Sequence, residues 1–237
     1  MKTTFKFLFF AAIIASFAAC TSGGTKTEAT AAESIEETSY NEVYALNTQD
    51  SKLEWQGWKP TGTHDGAVNI ASGKLMVNGQ QLVGGSFEID MTSIIVLDIE
   101  DPEYNTKLKG HLTSADFFEV ETYPTTTSFK ITGVKAIDGN LIDKNKEKGD
   151  VIPNHSITGN LTMKGITKSI TFNAKVDVST NQVTAQTNQF YIDRTDWNVQ
   201  YGSKKFFSDL KDKFINDEMG ISINLTAAPA LQEMASK

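Results

Sequence analysis

Alternation of apolar and polar residues with a period of two is the feature that most constrains the fold of this chain. The clearest run has an apolar side chain at every second position: Ile170, Phe172, Ala174, Val176 and Val178. A strand with this pattern buries one face and exposes the other. Shorter runs of the same period follow at residues 87–91, 129–131, 161–163 and 221–225. The folded part of the chain is therefore predicted to consist of strands.

Glycine-containing turn pairs separate these runs at short intervals: Asn78-Gly79, Gly84-Gly85, Asp138-Gly139, Gly159-Asn160 and Lys164-Gly165. Repeated one-sided strands joined by such turns predict an all-β protein, either a closed barrel or a sandwich. A barrel leaves no exposed edge strands. Residues 108–118 and 206–214 interrupt the alternation, and each is predicted to form a short helix or a structured loop.

The N-terminus has the composition of an export signal. Lys2 and Lys6 accompany an apolar run over residues 5–19, which ends in small residues directly before Cys20. The run is too short to span a bilayer. It resembles the lipobox of bacterial lipoproteins, which implies a signal peptide over residues 1–19 and a lipid anchor on Cys20. The alternative is a plain secretory signal followed by a cysteine without a role. Cys20 is the only cysteine, so the chain has no internal disulfide.

Residues 21–41 contain mainly Thr, Ser, Gly, Ala and Glu, with Ile35 as the only large aliphatic residue. Such a composition buries too little apolar surface to offset the entropy lost on ordering. We therefore predict a lipidated flexible tether over residues 20–45, a barrel domain over 46–228 and a short C-terminal tail over 229–237. A tether of this length has a root-mean-square reach of roughly 25 to 30 Å.

The chain is acidic, with 22 basic and 29 acidic residues. This balance disfavours nucleic acid and anionic lipid headgroups as partners through bulk charge. No run after Cys20 is apolar for long enough to cross a bilayer, so membrane attachment is expected through the lipid anchor alone. No acidic run follows Cys20, which favours the periplasmic face of the outer membrane as the location. The sequence leaves the oligomeric state open.

Several motifs occur in order between residues 53 and 225: Trp55-Gln56-Gly57, Gly62-Thr63-His64-Asp65-Gly66, Gly85-Ser86-Phe87-Glu88-Ile89-Asp90-Met91, His111-Leu112-x-x-x-Asp116-Phe117-Phe118, Gly159-Asn160-Leu161-Thr162 and Asp193-Arg194-Thr195-Asp196-Trp197. Together they resemble the YceI-like family of polyisoprenoid-binding, lipocalin-like proteins. The resemblance implies an extended eight-stranded antiparallel barrel with one or two short helical segments. It also implies an interior that holds a long isoprenoid chain, and binding rather than catalysis.

Twelve residues are candidates for the wall of such an interior: Trp55, Phe87, Ile89, Phe117, Phe118, Phe129, Ile131, Leu161, Met163, Phe172, Phe190 and Trp197. Aromatic and methionine side chains provide smooth and adaptable walls for an apolar chain. An eight-stranded barrel is just wide enough to be filled by its own side chains or to hold one slim ligand. The alternative is therefore that these residues pack together as a solid core.

A hydroxyl, quinone or phosphate head needs a few directed polar partners at the mouth of the barrel. The candidates for this role are His64, His111, Asp116 and Arg194. The alternative for Arg194 is an ion pair that fixes the end of a strand. His111 has the alternative role of capping the segment that follows it.

Catalytic and metal-binding patterns are missing from the sequence. The three histidines, His64, His111 and His155, are widely spaced, and no metalloprotease or serine-hydrolase motif is present. We expect neither enzymatic activity nor a cofactor. The sequence predicts an envelope lipoprotein that sequesters or transports an isoprenoid-type lipid, such as a quinone or polyprenyl compound. The alternative function is a solid-core interaction module of the cell envelope that has no small-molecule ligand.

Overall fold

The structure, a computed structural model, describes residues 25–36, 38–123, 127–138 and 150–230. The predicted signal peptide, the Cys20 anchor and most of the predicted C-terminal tail lie outside these residues. The described strands are β1 Thr25–Lys26, β2 Thr30–Ala31, β3 Glu42–Leu46, β4 Lys52–Lys59, β5 Gly62–Asn78, β6 Gln81–Val96, β7 Thr127–Ala136, β8 His155–Met163, β9 Ile166–Val178, β10 Val183–Gln186, β11 Phe190–Asp193 and β12 Glu218–Pro229. The helical elements are α1 Pro102–Thr113 and the 3-10 turns Arg194–Trp197 and Lys211–Lys213.

These strands close into an antiparallel barrel, which confirms the predicted fold. β5 to β10 pair in sequence order, and β12 pairs with both β10 and β11 on one side and with β3 and β4 on the other. β3 and β4 both pair with β5, so they form one interrupted strand, as do β10 and β11. Counted in this way, the barrel has eight strands.

The alternating pattern on β9 confirms the predicted orientation of its side chains. Ile170, Phe172, Ala174 and Val176 are buried in the core, whereas Thr171 is exposed on the outer face. The other strands alternate in the same way and contribute aliphatic and aromatic side chains to the interior. The core of the protein therefore coincides with the inside of the barrel.

Two glycines make room for aromatic rings on neighbouring strands. A Cβ on Gly66 would lie 2.5 Å from the Trp55 indole and 1.9 Å from the carbonyl oxygen of Ile95. A Cβ on Gly159 would lie 2.3 Å from the ring of Phe129. Since such distances are too short for any side chain, glycine at these positions lets the two rings lie against the neighbouring backbone.

Helix α1 packs against β6 at the end of the barrel that we call the mouth. It begins earlier than the predicted 108–118 because Asp101 caps it by accepting from the amides of Glu103 and Tyr104, with Pro102 as its first residue. In the second predicted segment, 206–214, the structure forms only the 3-10 turn Lys211–Lys213. No helix in the described part of the chain is long and apolar enough to span a membrane.

Residues 25–33, which we call the N-terminal strap, lie on the barrel in place of the flexible tether predicted for residues 20–45. β1 pairs in parallel with β11, and β2 pairs antiparallel with β9. The strap therefore fills the wall between β9 and β11, where β10 no longer joins them. The barrel itself begins at Glu42, the first residue of β3, rather than at the predicted residue 46.

Hydrogen bonds hold the strap to three strands. Thr27, which is buried, donates its backbone N–H to Tyr191 O and its hydroxyl to Thr171 O, both at 2.8 Å. The side-chain amide of Asn160 accepts from the Glu33 backbone N–H at 2.9 Å and donates to the Glu33 carbonyl at 2.8 Å. These polar contacts order a segment that has little apolar surface of its own.

Candidate functional site

The barrel encloses an apolar cavity of about 70 Å³ in its half nearest the mouth. Thr127 is the only polar residue among those that line it. Nine of the predicted wall residues lie here: Trp55, Phe87, Ile89, Phe118, Phe129, Leu161, Met163, Phe172 and Phe190. Ligand cavities of small-molecule sites are usually larger, at roughly 300–1,000 Å³. The interior is therefore a narrow apolar slot.

A chain of four phenylalanine rings crosses the middle of the barrel. Phe129 lies 5.5 Å from Phe87 and 5.4 Å from Phe172 between ring centroids, and Phe172 stacks on Phe190 at 4.7 Å. A second apolar cavity of about 30 Å³ lies on the other side of these rings, and Ile131 lines it. The same rings thus pack together as core and line the cavities.

A larger cavity of about 400 Å³ opens at the mouth, beside α1 and the hairpin between β4 and β5. It shares the lining residues Trp55, Phe118 and Met219 with the interior cavity, so the two adjoin. Its volume falls in the usual range for small-molecule sites. The site therefore combines an open mouth, in which charged and polar side chains lie among apolar ones, with an apolar interior.

Two buried nitrogen atoms at the mouth have no hydrogen-bond partner among the described residues. They are Nε1 of Trp55 and Nε2 of His111. The His111 ring makes edge-on contacts with Tyr201, at 4.5 Å between centroids, and with Phe117, at 5.7 Å. An unpaired buried polar atom costs free energy, and a bound oxygen atom would remove that cost. Trp55 was predicted only as an apolar wall residue, and the sequence gives no sign of its unpaired N–H group.

His64 lines the rim of the mouth and is paired with Asp98. Its Nδ1 lies 2.8 Å from Asp98 Oδ2, and the amide of Asp65 donates to the other oxygen of the same carboxylate. Burial of Asp98 raises the pKa of its carboxyl group, but these two hydrogen bonds outweigh burial and lower that pKa overall. The pair fixes the position of the histidine beside the cavity.

Arg194 faces the mouth but is fully engaged with the protein. It is 1 % exposed, and Nε, Nη1 and Nη2 donate to the carbonyl oxygens of Asn216, Val199 and Ile215 at 3.1, 2.6 and 3.2 Å. Burial lowers the pKa of its guanidinium group, while the nearby carboxylates of Asp217 and Asp193 oppose this shift. The arrangement supports the structural alternative, in which Arg194 fixes the loop after β11.

The remaining predicted residues are placed elsewhere. Phe117 lines the mouth rather than the interior. Asp116 is exposed and lines neither cavity. Trp197 is fully buried outside both cavities, where its Nε1 donates to the carbonyl oxygen of Leu161 at 3.1 Å. Of the four predicted head-group residues, His64, His111 and Arg194 therefore line the same cavity, and Asp116 lies apart from them.

The three histidines do not converge. His155 lies at the end of the barrel opposite the mouth, where its Nδ1 is 2.7 Å from the side-chain oxygen of Asn154. Burial lowers the pKa of this imidazole, opposed by the charge of Asp177. Within the residues that the structure describes, no three His, Cys, Asp or Glu side chains are grouped so that they could hold a metal ion.

The model of the YceI-like domain family matches residues 44–227, which is most of the chain and nearly the whole barrel. The chain belongs to the YceI-like family. No curated protein sequence matches it.

Two solved structures resemble this YceI-like protein in fold. BcnA of Burkholderia cenocepacia is 20% identical with a TM-score of 0.55, and the match covers 77% of this chain and 99% of BcnA. A polyisoprenoid-binding domain from Saccharophagus degradans, implicated in plant cell wall breakdown, is 14% identical with a TM-score of 0.53. That match covers 80% of this chain and 100% of the domain. At these identities the likeness shows the shared barrel fold.

Proposed function

We propose that this protein binds an isoprenoid-type lipid, a quinone or a polyprenyl compound, with its tail inside the barrel and its head in the mouth. The observation that carries the proposal is the apolar interior cavity that adjoins a 400 Å³ mouth at Trp55, whose indole N–H is unpaired. Membership of the YceI-like family and the polyisoprenoid-binding relative from Saccharophagus degradans support the same ligand class.

The tail enters the interior from the mouth end. Three methionines line the slot, Met91, Met163 and Met219, and their flexible thioether side chains adapt to an incoming chain. The slot holds only a short part of a long tail, so deeper entry requires the phenylalanine rings beyond it to turn aside. Each methylene of the tail that moves from water into the barrel contributes about 0.8 kcal/mol, which favours entry of the tail past the displaced rings.

The head remains in the mouth. The Trp55 indole donates to a carbonyl or hydroxyl oxygen, and His111 supplies a second hydrogen-bonding nitrogen in the same cavity. Because both atoms are buried and unpaired in the free protein, pairing with the ligand removes an existing cost. The site thereby selects an isoprenoid that carries an oxygen at one end over a pure hydrocarbon.

The wider role is sequestration or transport of this lipid by an exported lipoprotein anchored at Cys20 to the outer membrane and facing the periplasm. The site binds its ligand without converting it, and it uses no cofactor. Replacement of Cys20 by Ala is expected to release the protein into the soluble periplasmic fraction. Retention of the variant in the membrane fraction would contradict the anchor.

The ligand is tested on the full chain by native mass spectrometry and organic extraction, followed by binding of added solanesol and squalene. Solanesol is a polyprenyl alcohol, and squalene is an isoprenoid hydrocarbon without a head. Trp55→Phe is expected to weaken solanesol binding by about tenfold, the value of one hydrogen bond of roughly 1.4 kcal/mol. Squalene binding should change little. Trp197→Phe is the control, since its indole N–H bonds Leu161 instead of facing the cavity.

A solid-core interaction module is the second candidate, and the small interior volume and the four packed rings favour it. In that case the extracted protein carries no lipid and takes up neither solanesol nor squalene. Uptake of either compound at one molecule per chain rejects the module.

A further inference from the structure

The loop between the 3-10 turn at Arg194–Trp197 and β12 presents an exposed aromatic pair. Phe206 and Phe207 are 48% and 49% exposed, although they are large apolar side chains. Both of their backbone amides donate to the carbonyl oxygen of Ser203, at 3.2 and 3.0 Å. Ser203 itself is fully buried. The two rings are thus held outward by a turn with a fixed base.

The same loop is basic in an acidic chain. Residues 200–214 contain four lysines, Lys204, Lys205, Lys211 and Lys213, against the two acids Asp209 and Asp212. Lys205 is paired with Asp193 and Asp217. Lys204, Lys211 and Lys213 are exposed and form no ion pair within the described residues. The Nζ of Lys204 lies 3.6 Å from the centroid of the Phe214 ring, so the charges that remain available to an anionic surface are those of Lys211 and Lys213.

The loop lies at the edge of the mouth cavity. Tyr201, Lys213 and Ile215 line that cavity, and the Ile215 amide donates to the Gly202 carbonyl at 2.9 Å, which joins the two ends of the loop. A surface that contacts Phe206 and Phe207 therefore lies beside the opening of the lipid-binding site. Aromatic side chains next to lysines are the combination that favours the headgroup region of a bilayer.

We propose that residues 200–214 dock the mouth of the barrel onto a bilayer that contains anionic lipids. Phe206 and Phe207 insert between headgroups, and the lysines bind the negatively charged lipid surface. Docking brings the mouth to the membrane, where a lipid passes into the protein without crossing water. The purpose of docking rests on the proposed function, but the contact itself does not. Although the whole chain has a negative net charge, the loop at residues 200–214 has a positive one, and the loop is the part that meets the membrane.

Because the chain has a single cysteine, its replacement allows one new cysteine to be labelled at a chosen position. In a full-length Cys20→Ala background, Ser208→Cys carries an environment-sensitive fluorophore beside the aromatic pair, and Ile152→Cys carries it on an exposed residue before β8 that does not line the mouth cavity. Vesicles contain phosphatidylethanolamine with phosphatidylglycerol, or phosphatidylcholine alone. The N-terminal segment is the same in both labelled proteins, so a difference between them reports which face touches the lipid.

The probe at Ser208 is expected to shift to the blue and to be quenched by brominated acyl chains on anionic vesicles, and the probe at Ile152 is not. Replacing Phe206 and Phe207 together by Ser should abolish the shift. Lys211→Gln should lower the ratio of docked to free protein about fivefold, because one lysine near an anionic surface contributes about 1 kcal/mol.

An equal response at Ser208 and Ile152, or an equal response at Ser208 on neutral vesicles, overturns the proposal. Bound isoprenoid is extracted from the same samples. A lipid-loaded protein without the shift refutes docking alone, and a shift in a protein that takes up no isoprenoid refutes the proposed ligand alone.

Discussion

Phe172 and Phe190 stack nearly parallel inside the barrel, with centroids 4.7 Å apart and 8° between their planes. Phe172 belongs to β9 and Phe190 to β11, two strands that are joined through the strap rather than to each other. The strap fills the wall between β9 and β11, and the ring stack packs against the same stretch of wall from inside the barrel.

Phe172→Ala should lower the free energy of unfolding by about 3–5 kcal/mol, because it removes a buried ring from this stack and leaves a cavity. Lys175→Ala on the outer face of the same strand should change it by no more than about 0.5 kcal/mol. Urea unfolding followed by tryptophan fluorescence measures both. Equal losses would mean that the two side chains do not face opposite sides of β9.

Asn160→Ala should detach the end of the strap. The variant leaves the backbone N–H and carbonyl of Glu33 without their present partners, at a cost of about 1–3 kcal/mol. Hydrogen exchange should speed up at the amides of residues 27–33. Thr162→Ala is the control, since Thr162 lies on the same strand and bonds Thr167 instead of the strap. Unchanged exchange at Glu33 in Asn160→Ala would contradict the role of this contact.

Arg194→Met should destabilise the protein by about 3–5 kcal/mol, because it leaves three carbonyl oxygens and the Asp217 carboxylate without their buried cation. Lys205→Met removes a half-exposed cation from the same carboxylate and should cost about 1 kcal/mol or less. Thermal unfolding of the two variants compares them. Similar losses would show that the buried position of Arg194 adds nothing.

The pair between His64 and Asp98 should make a pH-dependent contribution to stability. The pKa of Asp98 is lowered from its ordinary value near 3.8, so the folded state favours the carboxylate. Stability from this group is therefore present above pH 3.8 and lost as the pH falls through the folded pKa. The difference in unfolding free energy between wild type and Asp98→Asn should be about 1 kcal/mol or less at pH 5 and shrink in acid.

Asp116→Asn is the control for that titration, because Asp116 is an exposed aspartate that lines neither cavity. Urea unfolding between pH 2.5 and 6 follows both variants. A difference for Asp98→Asn that stays constant over this range would contradict the lowered pKa.

The barrel and most of its interior were predictable from sequence because strand alternation is a local signal that each segment carries by itself. Ile170, Phe172, Ala174 and Val176 of β9 are buried as predicted, Val178 is partly buried, and the ordered motifs identified the family. The start of α1 was also encoded locally, in Asp101 and Pro102, although the predicted interruption began six residues later.

The strap was missed because its order comes from distant partners. Thr27 and Glu33 bind Tyr191 and Asn160, and nothing in the composition of residues 21–41 signals those contacts. The unpaired N–H of Trp55 was missed for a similar reason, since only the packed barrel shows which buried nitrogen atoms lack a partner. A one-dimensional pattern predicts which face is buried but not which polar atom remains unsatisfied there.

The pairing of β1 with β11 and of β4 with β12 also determines when the barrel can be completed. Thr25 pairs with Phe190, and Trp55 pairs with Ile221, so each of these early residues pairs with a residue that is synthesised more than 160 positions later. Contacts this distant in sequence require loop closure before they stabilise anything, and they slow folding. The strap, although it is synthesised before the barrel strands, is thus among the last elements to be fixed. Until then the open strand edges need protection from contacts with other chains.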